Sequence, residues 1–344
     1  MKPPLTPRRI RAVAAGVGAL ALSSSLIAAT SAGASAANSG KTVNLVAYST
    51  PSRAYSALIK AFNKTASGRG VTVTGSFGPS GSQVKAVIAG LPADVVNFSD
   101  EPDMAKLVKA GLVSSNWDTV GPESGMVTNS VVVMVVRKGN PLHIKTWADL
   151  VKKGVSVVTP NPFSSGAARW NLLAAYGAEI KLGKTKKQAD SFLADLLKHT
   201  VAQPASASDA MTAFTEGTGD VLLDYEDDAI AAQRSGARIS YVIPKQTILI
   251  KNPIAILTKS ESNSAAVAFV RFLLSKQGQE IWAKQGYRPV LPGAATAAGV
   301  KFPIPRQLFT IGNLGGWSYA TVHFFGSKGV VTKIEESLGQ STSG

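Results

Sequence analysis

Between Thr42 and Leu257, short runs rich in β-branched residues alternate with stretches whose apolar residues recur at helical spacing. That alternation restricts the chain to an α/β fold. The strand-like runs are Thr42–Tyr48, Val71–Phe77, Ala93–Phe98, Val131–Val136, Val155–Val158, Asp220–Leu223, Ile239–Val242 and Ile254–Leu257. Helical patterns over Ser52–Phe62, Ser82–Gly90 and Asp103–Ala110 separate the first of them. Strands divided by helices predict parallel sheets covered on both faces. The length suits two such sheets in two domains rather than one.

The first residues belong to another category. Lys2, Arg8, Arg9 and Arg11 precede an apolar stretch over Ala12–Ala29, and small residues lead through Ala34 and Ala36. This basic, apolar, A-x-A order predicts a secretory signal peptide over residues 1–37, cleaved after Ala34 or Ala36. The exported product is expected in the periplasm, the extracellular space or the cell envelope. The chain contains no cysteine. It therefore forms no disulfide, offers no thiolate nucleophile or thiolate metal site, and lacks the residue that carries the lipid of a lipoprotein. Of 36 basic and 21 acidic residues, the four basic ones named above fall in the leader, so the mature chain carries 32 against 21, a net +11. Such an excess attracts anions. The positive residues are scattered and not interleaved with aromatics, so the expected partner is a small anion and not nucleic acid.

Ligands of open α/β sheets bind at the carboxyl ends of strands. Three small-residue turns fall where a helix follows a strand: Phe77 to Gln83, Thr159 to Trp170, and Pro204 to Asp209. The first N–H groups of a helix have no internal partner and carry partial positive charge. Serine and glycine let an oxyanion approach those groups closely, and serine hydroxyls add donors. Any one of these turns is equally readable as ordinary helix capping. Their recurrence points to a shared anion site.

Other constellations carry less. Asp224, Glu226, Asp227 and Asp228 read as a first helical turn complementing the helix dipole rather than as a metal site. His143, His199 and His323 sit in no nucleophile motif, and Gly-x-Ser-x-Gly is absent. Gly78-Pro79-Ser80-Gly81-Ser82-Gln83 lacks the lysine of a P-loop. A secreted hydrolase using Ser165 as nucleophile would lack a placed histidine. Trp117, Trp147, Trp170, Trp282 and Trp317 read as packing residues.

Thr159-Pro160-Asn161-Pro162 followed by Ser164-Ser165-Gly166-Ala167-Ala168-Arg169-Trp170-Asn171 resembles the signature of bacterial sulfate-binding proteins, the receptors of sulfate/thiosulfate ABC importers. Pro79 to Gln83, Ala93 to Val96, Val136 to Pro141, Gly219 to Leu222, Tyr287-Arg288-Pro289, Leu308 to Ile311 and Gly315-Gly316-Trp317 extend the resemblance in the family's order over nearly the whole mature chain. It implies a two-lobed, type II periplasmic-binding-protein-like fold with dehydrated sulfate or thiosulfate buried in the interdomain cleft. The implied contacts are Thr50, Ser80, Ser165, Gly166, Ala167, Ser206 and Tyr225, with Arg169 supporting the site from behind. Three of these depart from the family pattern: Thr50 stands where aspartate is usual, Ala167 replaces a glycine, and Tyr225 replaces the cleft tryptophan. A phenol can accept as well as donate a hydrogen bond, which an indole cannot. Lobe one is expected over 41–130 plus 249–344 and lobe two over 131–248. The expected function is capture and delivery without chemistry and without a cofactor, by a monomer partnered by the membrane permease of an ABC importer. The rival ligands are other oxyanions, molybdate and phosphate.

Overall fold

The computed structural model describes residues 42–342; the expected leader lies outside them. Among the described residues there are eleven strands: β1 (Thr42–Tyr48), β2 (Thr72–Gly78), β3 (Val95–Asn97), β4 (Met126–Arg137), β5 (Val157–Val158), β6 (Thr200–Ala202), β7 (Val221–Tyr225), β8 (Ile239–Val242), β9 (Gln246–Ile256), β10 (Arg288–Pro289) and β11 (Gln307–Phe309). The α-helices are α1 (Ser52–Phe62), α2 (Ser80–Ile88), α3 (Glu101–Lys109), α4 (Gly166–Lys181), α5 (Lys186–Lys198), α6 (Ala207–Thr215), α7 (Glu226–Arg234), α8 (Ser264–Leu274), α9 (Lys276–Lys284), α10 (Ala294–Ala297), α11 (Gly316–Phe325) and α12 (Val330–Ser337). No helix among the described residues is long and apolar enough to cross a membrane.

The strands run in the order β2-β1-β3-β9-β4-β7-β5-β6. Pairing is parallel in β1–β2, β1–β3, β5–β6 and β5–β7, as the alternation with helices predicts. It is antiparallel wherever β4 meets β7, β8 or β9, and where β9 meets β3. The expectation of wholly parallel sheets fails at β4 and β9, which run against each other, β4 also against β7 and β8 and β9 against β3. Both β4 and β9 extend well beyond the runs read from sequence. Each changes partner along its length. β4 pairs β9 through Met126–Val131 and then β7 from Val132. β9 pairs β4 through Leu249–Pro253 and then β3 from Ile254. Two sheet halves thus meet at two shared strands.

Each half has its own core. Tyr55, Phe62, Phe269 and Trp282 of α1, α8 and α9 cover one face of the β1 half, and Val84, Phe98 and Leu107 cover the other. In the β7 half, α4 is buried at every residue from Gly166 to Glu179. A helix buried on all sides is a core helix, and α4 lies between the sheet, α5 and the C-terminal helices. Trp170 meets Trp317 edge-on at 4.7 Å between ring centroids, and Tyr176 meets Phe324 at 4.7 Å. Helices α11 and α12 therefore pack on α4 and α5, and the same apolar packing fixes where the start of α4 points.

Candidate anion site

The starts of α2, α4 and α6 converge. Gly81 N donates to Ser164 O at 3.0 Å, tying the start of α2 to the turn before α4. Ser164 Oγ donates to Ala205 O at 2.8 Å, tying that turn to the one before α6. The approach is close enough to demand glycine. A Cβ on Gly166 would lie 2.7 Å from Ser99 Cβ and 2.9 Å from Asp100 Oδ2, and one on Gly81 would lie 3.0 Å from Ser164 O.

The serines divide by what their hydroxyls do. Ser206 is an N-cap: its Oγ accepts from Asp209 N at 3.1 Å and donates to Asp209 Oδ2 at 2.7 Å. Ser80 Oγ donates to Asp103 Oδ2 at 2.7 Å and accepts from Ser99 N at 3.2 Å. Ser165, 3 % exposed, precedes α4 without a side-chain capping bond, and no residue among those described engages its hydroxyl. Ala167 is buried one residue into the same helix start.

Ser99 joins these parts, and sequence reasoning did not single it out. Its Oγ lies 2.8 Å from Tyr225 OH, and its carbonyl accepts from Trp170 Nε1 at 2.8 Å and Asn252 Nδ2 at 3.1 Å. It sits just past β3, held there by Tyr55 OH donating to Asn97 Oδ1 at 3.0 Å and Asn97 Nδ2 donating to Pro253 O at 2.9 Å. The usable signal was its place at the carboxyl end of a strand, ahead of Asp100-Glu101-Pro102, a helix-start sequence.

Arg169 lies behind the start of α4. Its Nη1 donates to Asp100 Oδ2 at 3.1 Å and to Asp103 Oδ1 at 3.4 Å, and its Nε donates to Pro162 O at 3.1 Å. Asp100 also caps α3, its Oδ1 accepting from Asp103 N at 3.1 Å. Lys106 completes the set at 2.7 Å from Asp103. Burial, then the neighbouring Asp103, pushes the Asp100 carboxyl up to about 6 against the pull of Arg169. For Asp103 burial works in the same upward direction, but Arg169, Lys106 and the Ser80 hydroxyl outweigh it and hold the group below its ordinary range. Two cations face two carboxyls, so this set leaves no cation free to neutralise a ligand.

Tyr225 belongs to, and Thr50 touches, an adjoining group of tyrosines. Thr50 Oγ1 lies 3.4 Å from Tyr287 OH, and Tyr48 and Tyr225 pack with ring centroids 6.4 Å apart. Burial, followed by neighbouring tyrosine and aspartate groups, raises the phenols of Tyr48, Tyr225 and Tyr287 well above their ordinary value, so all three remain protonated. The first turn of α7 bears the acidic residues expected there, Glu226, Asp227 and Asp228. Glu226 and Asp227 are buried, and Glu226 receives Arg288 in a two-point pair at 2.7 and 3.1 Å. Trp147, Trp170 and Trp282 are buried as packing residues.

This fold, with helix starts gathered where two sheet halves meet, is that of a two-lobed solute-binding protein. The chain belongs to the bacterial extracellular solute-binding protein family, whose model matches residues 43–288. It is 40 % identical over 304 residues to a sulfate-binding protein of Synechococcus elongatus, covering 86 % of this chain and 87 % of that one. It is 33 % identical to a thiosulfate-binding protein of Pseudomonas aeruginosa, covering 88 % of this chain and 95 % of that one. Among solved structures, the sulfate-binding protein SubI from Mycobacterium tuberculosis superposes with a TM-score of 0.78 at 45 % identity, over 81 % of this chain and 97 % of that one.

Proposed function

We propose that this chain is an exported receptor that captures sulfate or thiosulfate between two lobes and delivers it to the membrane permease of an ABC-type importer. The contacts are the amides of Gly166 and Ala167, the Ser165 hydroxyl, the turn at Ser80, the helix start after Ser206, and Thr50 and Tyr225, with Arg169 bracing the start of α4. Lobe one comprises 41–130 plus 249–344 and lobe two 131–248, with α11 reaching over to pack on α4 and α12 on α5. The receptor acts as a monomer, performs no chemistry, binds no nucleic acid, and is released by cleavage of its leader without lipid attachment.

One observation carries this reading. Three helix starts are bonded to one another, the Ser165 hydroxyl is unengaged, and Arg169 is matched by two carboxyls. Neutral donors in such an array suit a dehydrated, fully ionised tetrahedral anion. Ser165 has no histidine bonded to it, which disfavours a hydrolase. The test is thermal unfolding of leader-free, ligand-stripped protein with sulfate, thiosulfate, molybdate or phosphate. Sulfate or thiosulfate at a hundred times its Kd adds about 2.7 kcal/mol of stability. A melting temperature unmoved by all four anions at millimolar concentration rejects the reading.

A further inference from the structure

Beside the Thr50 turn lies a cluster of carboxyls without enough donors. Asp227 Oδ1 accepts from Ser130 Oγ at 2.5 Å, while Asp227 Oδ2 is buried and unpartnered. Asp224 Oδ2 and Asp228 Oδ2 are buried without a donor as well, and burial followed by the neighbouring aspartates raises both carboxyls well above their ordinary value. The Tyr48 hydroxyl, 2 % exposed, is also unpartnered. The cation at this end of α7 is Arg288, which Glu226 engages through both carboxylate oxygens.

The groups facing Asp227 are Asp224 and Tyr225 from β7, Glu226 and Asp228 from α7 itself, Ser130 from β4, Tyr48 from β1 and Tyr287 ahead of β10. All of these are acidic or neutral. Three carboxyls so placed cannot all be ionised, because a buried carboxylate without a cation or a full set of donors is strongly disfavoured. Asp227 lies within electrostatic reach of Tyr48, Tyr225 and Tyr287, the aromatic wall beside Thr50. A dianion brought to that wall adds charge of the same sign, and the ion set around Arg169 has no surplus cation to offset it.

We propose that Asp227 makes oxyanion capture proton-linked: the site takes a fully ionised oxyanion together with one proton, which resides on the Asp227 carboxyl. This rests on the oxyanion-receptor reading given above. Burial, opposed by the Ser130 and then the Tyr287 hydroxyl, leaves the unliganded Asp227 carboxyl at about 7, so it is largely ionised above neutrality and must regain its proton when the dianion binds. Sulfate does not itself titrate in this range, so any pH dependence belongs to the protein.

The experiment is titration calorimetry of leader-free protein with sodium sulfate at pH 6, 7, 8 and 9, at each pH in two buffers of different ionisation enthalpy. Wild type takes up close to one proton per sulfate at pH 8–9 and almost none at pH 6, and its affinity falls about tenfold per pH unit above pH 8. Asp227→Asn abolishes the uptake and leaves a pH-independent affinity near that of wild type at pH 6. Sulfate binding by wild type without proton uptake at pH 8 overturns the proposal, and the proton count needs no variant. Uptake that persists in Asp227→Asn overturns the assignment to this residue. Failure of sulfate, thiosulfate and molybdate to bind at any pH overturns the receptor reading itself and this inference with it.

Discussion

Arg169→Met removes the one buried cation behind the start of α4 while keeping an unbranched apolar stem. It leaves Asp100 and Asp103, both 0 % exposed, without the guanidinium that bonds them at 3.1 and 3.4 Å. Removing one partner of a buried ion pair costs about 3–5 kcal/mol. Lys106 stays on Asp103 at 2.7 Å, so the lower end, about 3 kcal/mol, is expected here. The loss depends on pH with a definite sign. Asp100 sits at about 6 even beside Arg169, so its ionised form is already disfavoured in the folded state. Asp103 lies below its ordinary range and contributes stability above that range. Without Arg169 both carboxyls move up. The folded state then holds more protons than the unfolded chain above about pH 4, and stability falls as pH rises. Urea unfolding at pH 5 and pH 8 measures this. The expected result is a loss of about 3 kcal/mol at pH 8 and a clearly smaller loss at pH 5, with Arg169→Lys recovering part of it. Losses equal at the two pH values, or below about 1 kcal/mol at pH 8, would refute the electrostatic account of this ion set.

Ser165→Ala weakens sulfate binding by about 1.5–3 kcal/mol, the range for hydrogen bonds to charged groups, whereas Ser164→Ala loses the bond to Ala205 O and lowers stability more than affinity; calorimetry and melting of both variants separate the two. Gly166→Ala forces its new methyl against Ser99 Cβ at 2.7 Å and destabilises by about 1–3 kcal/mol, read as a shift in urea midpoint. Tyr225→Phe strands Ser99 Oγ and costs about 1–3 kcal/mol, with sulfate affinity falling in proteins that still unfold cooperatively. Asp227, raised from 3.8 to about 7, destabilises the ionised folded protein by up to about 4 kcal/mol, building as pH rises from about 4 through 7, so Asp227→Asn is more stable than wild type at pH 8 and similar to it at pH 4 in the absence of ligand.

Local periodicity made β1, α1 and β8 legible to the residue, because their side-chain patterns are decided by which face of one element is covered. The small-residue turns at Ser80, Ser165 and Ser206 were legible for a similar reason: a helix start leaves amides open whatever surrounds it. Patterning alone did not separate the serine that caps its helix from the one whose hydroxyl is free. Ser206 is satisfied three residues along its own chain, while Ser165 is distinguished only by what fails to reach it. The full lengths of β4 and β9 were hidden too, since each is assembled from stretches that pair with different partners. Tyr225 closes β7 rather than following it, which turns its hydroxyl to Ser99, 126 residues away in sequence. The sequence by itself determined the fold class, the helix starts that converge and their chemical character, because these follow from backbone amides and local residue choice. Tertiary structure alone decided that Ser99 would join them, that Arg169 would be matched by Asp100 and Asp103, and that the acidic turn after Tyr225 would be buried. Each of those depends on desolvation and charge pairing between segments that only folding brings together.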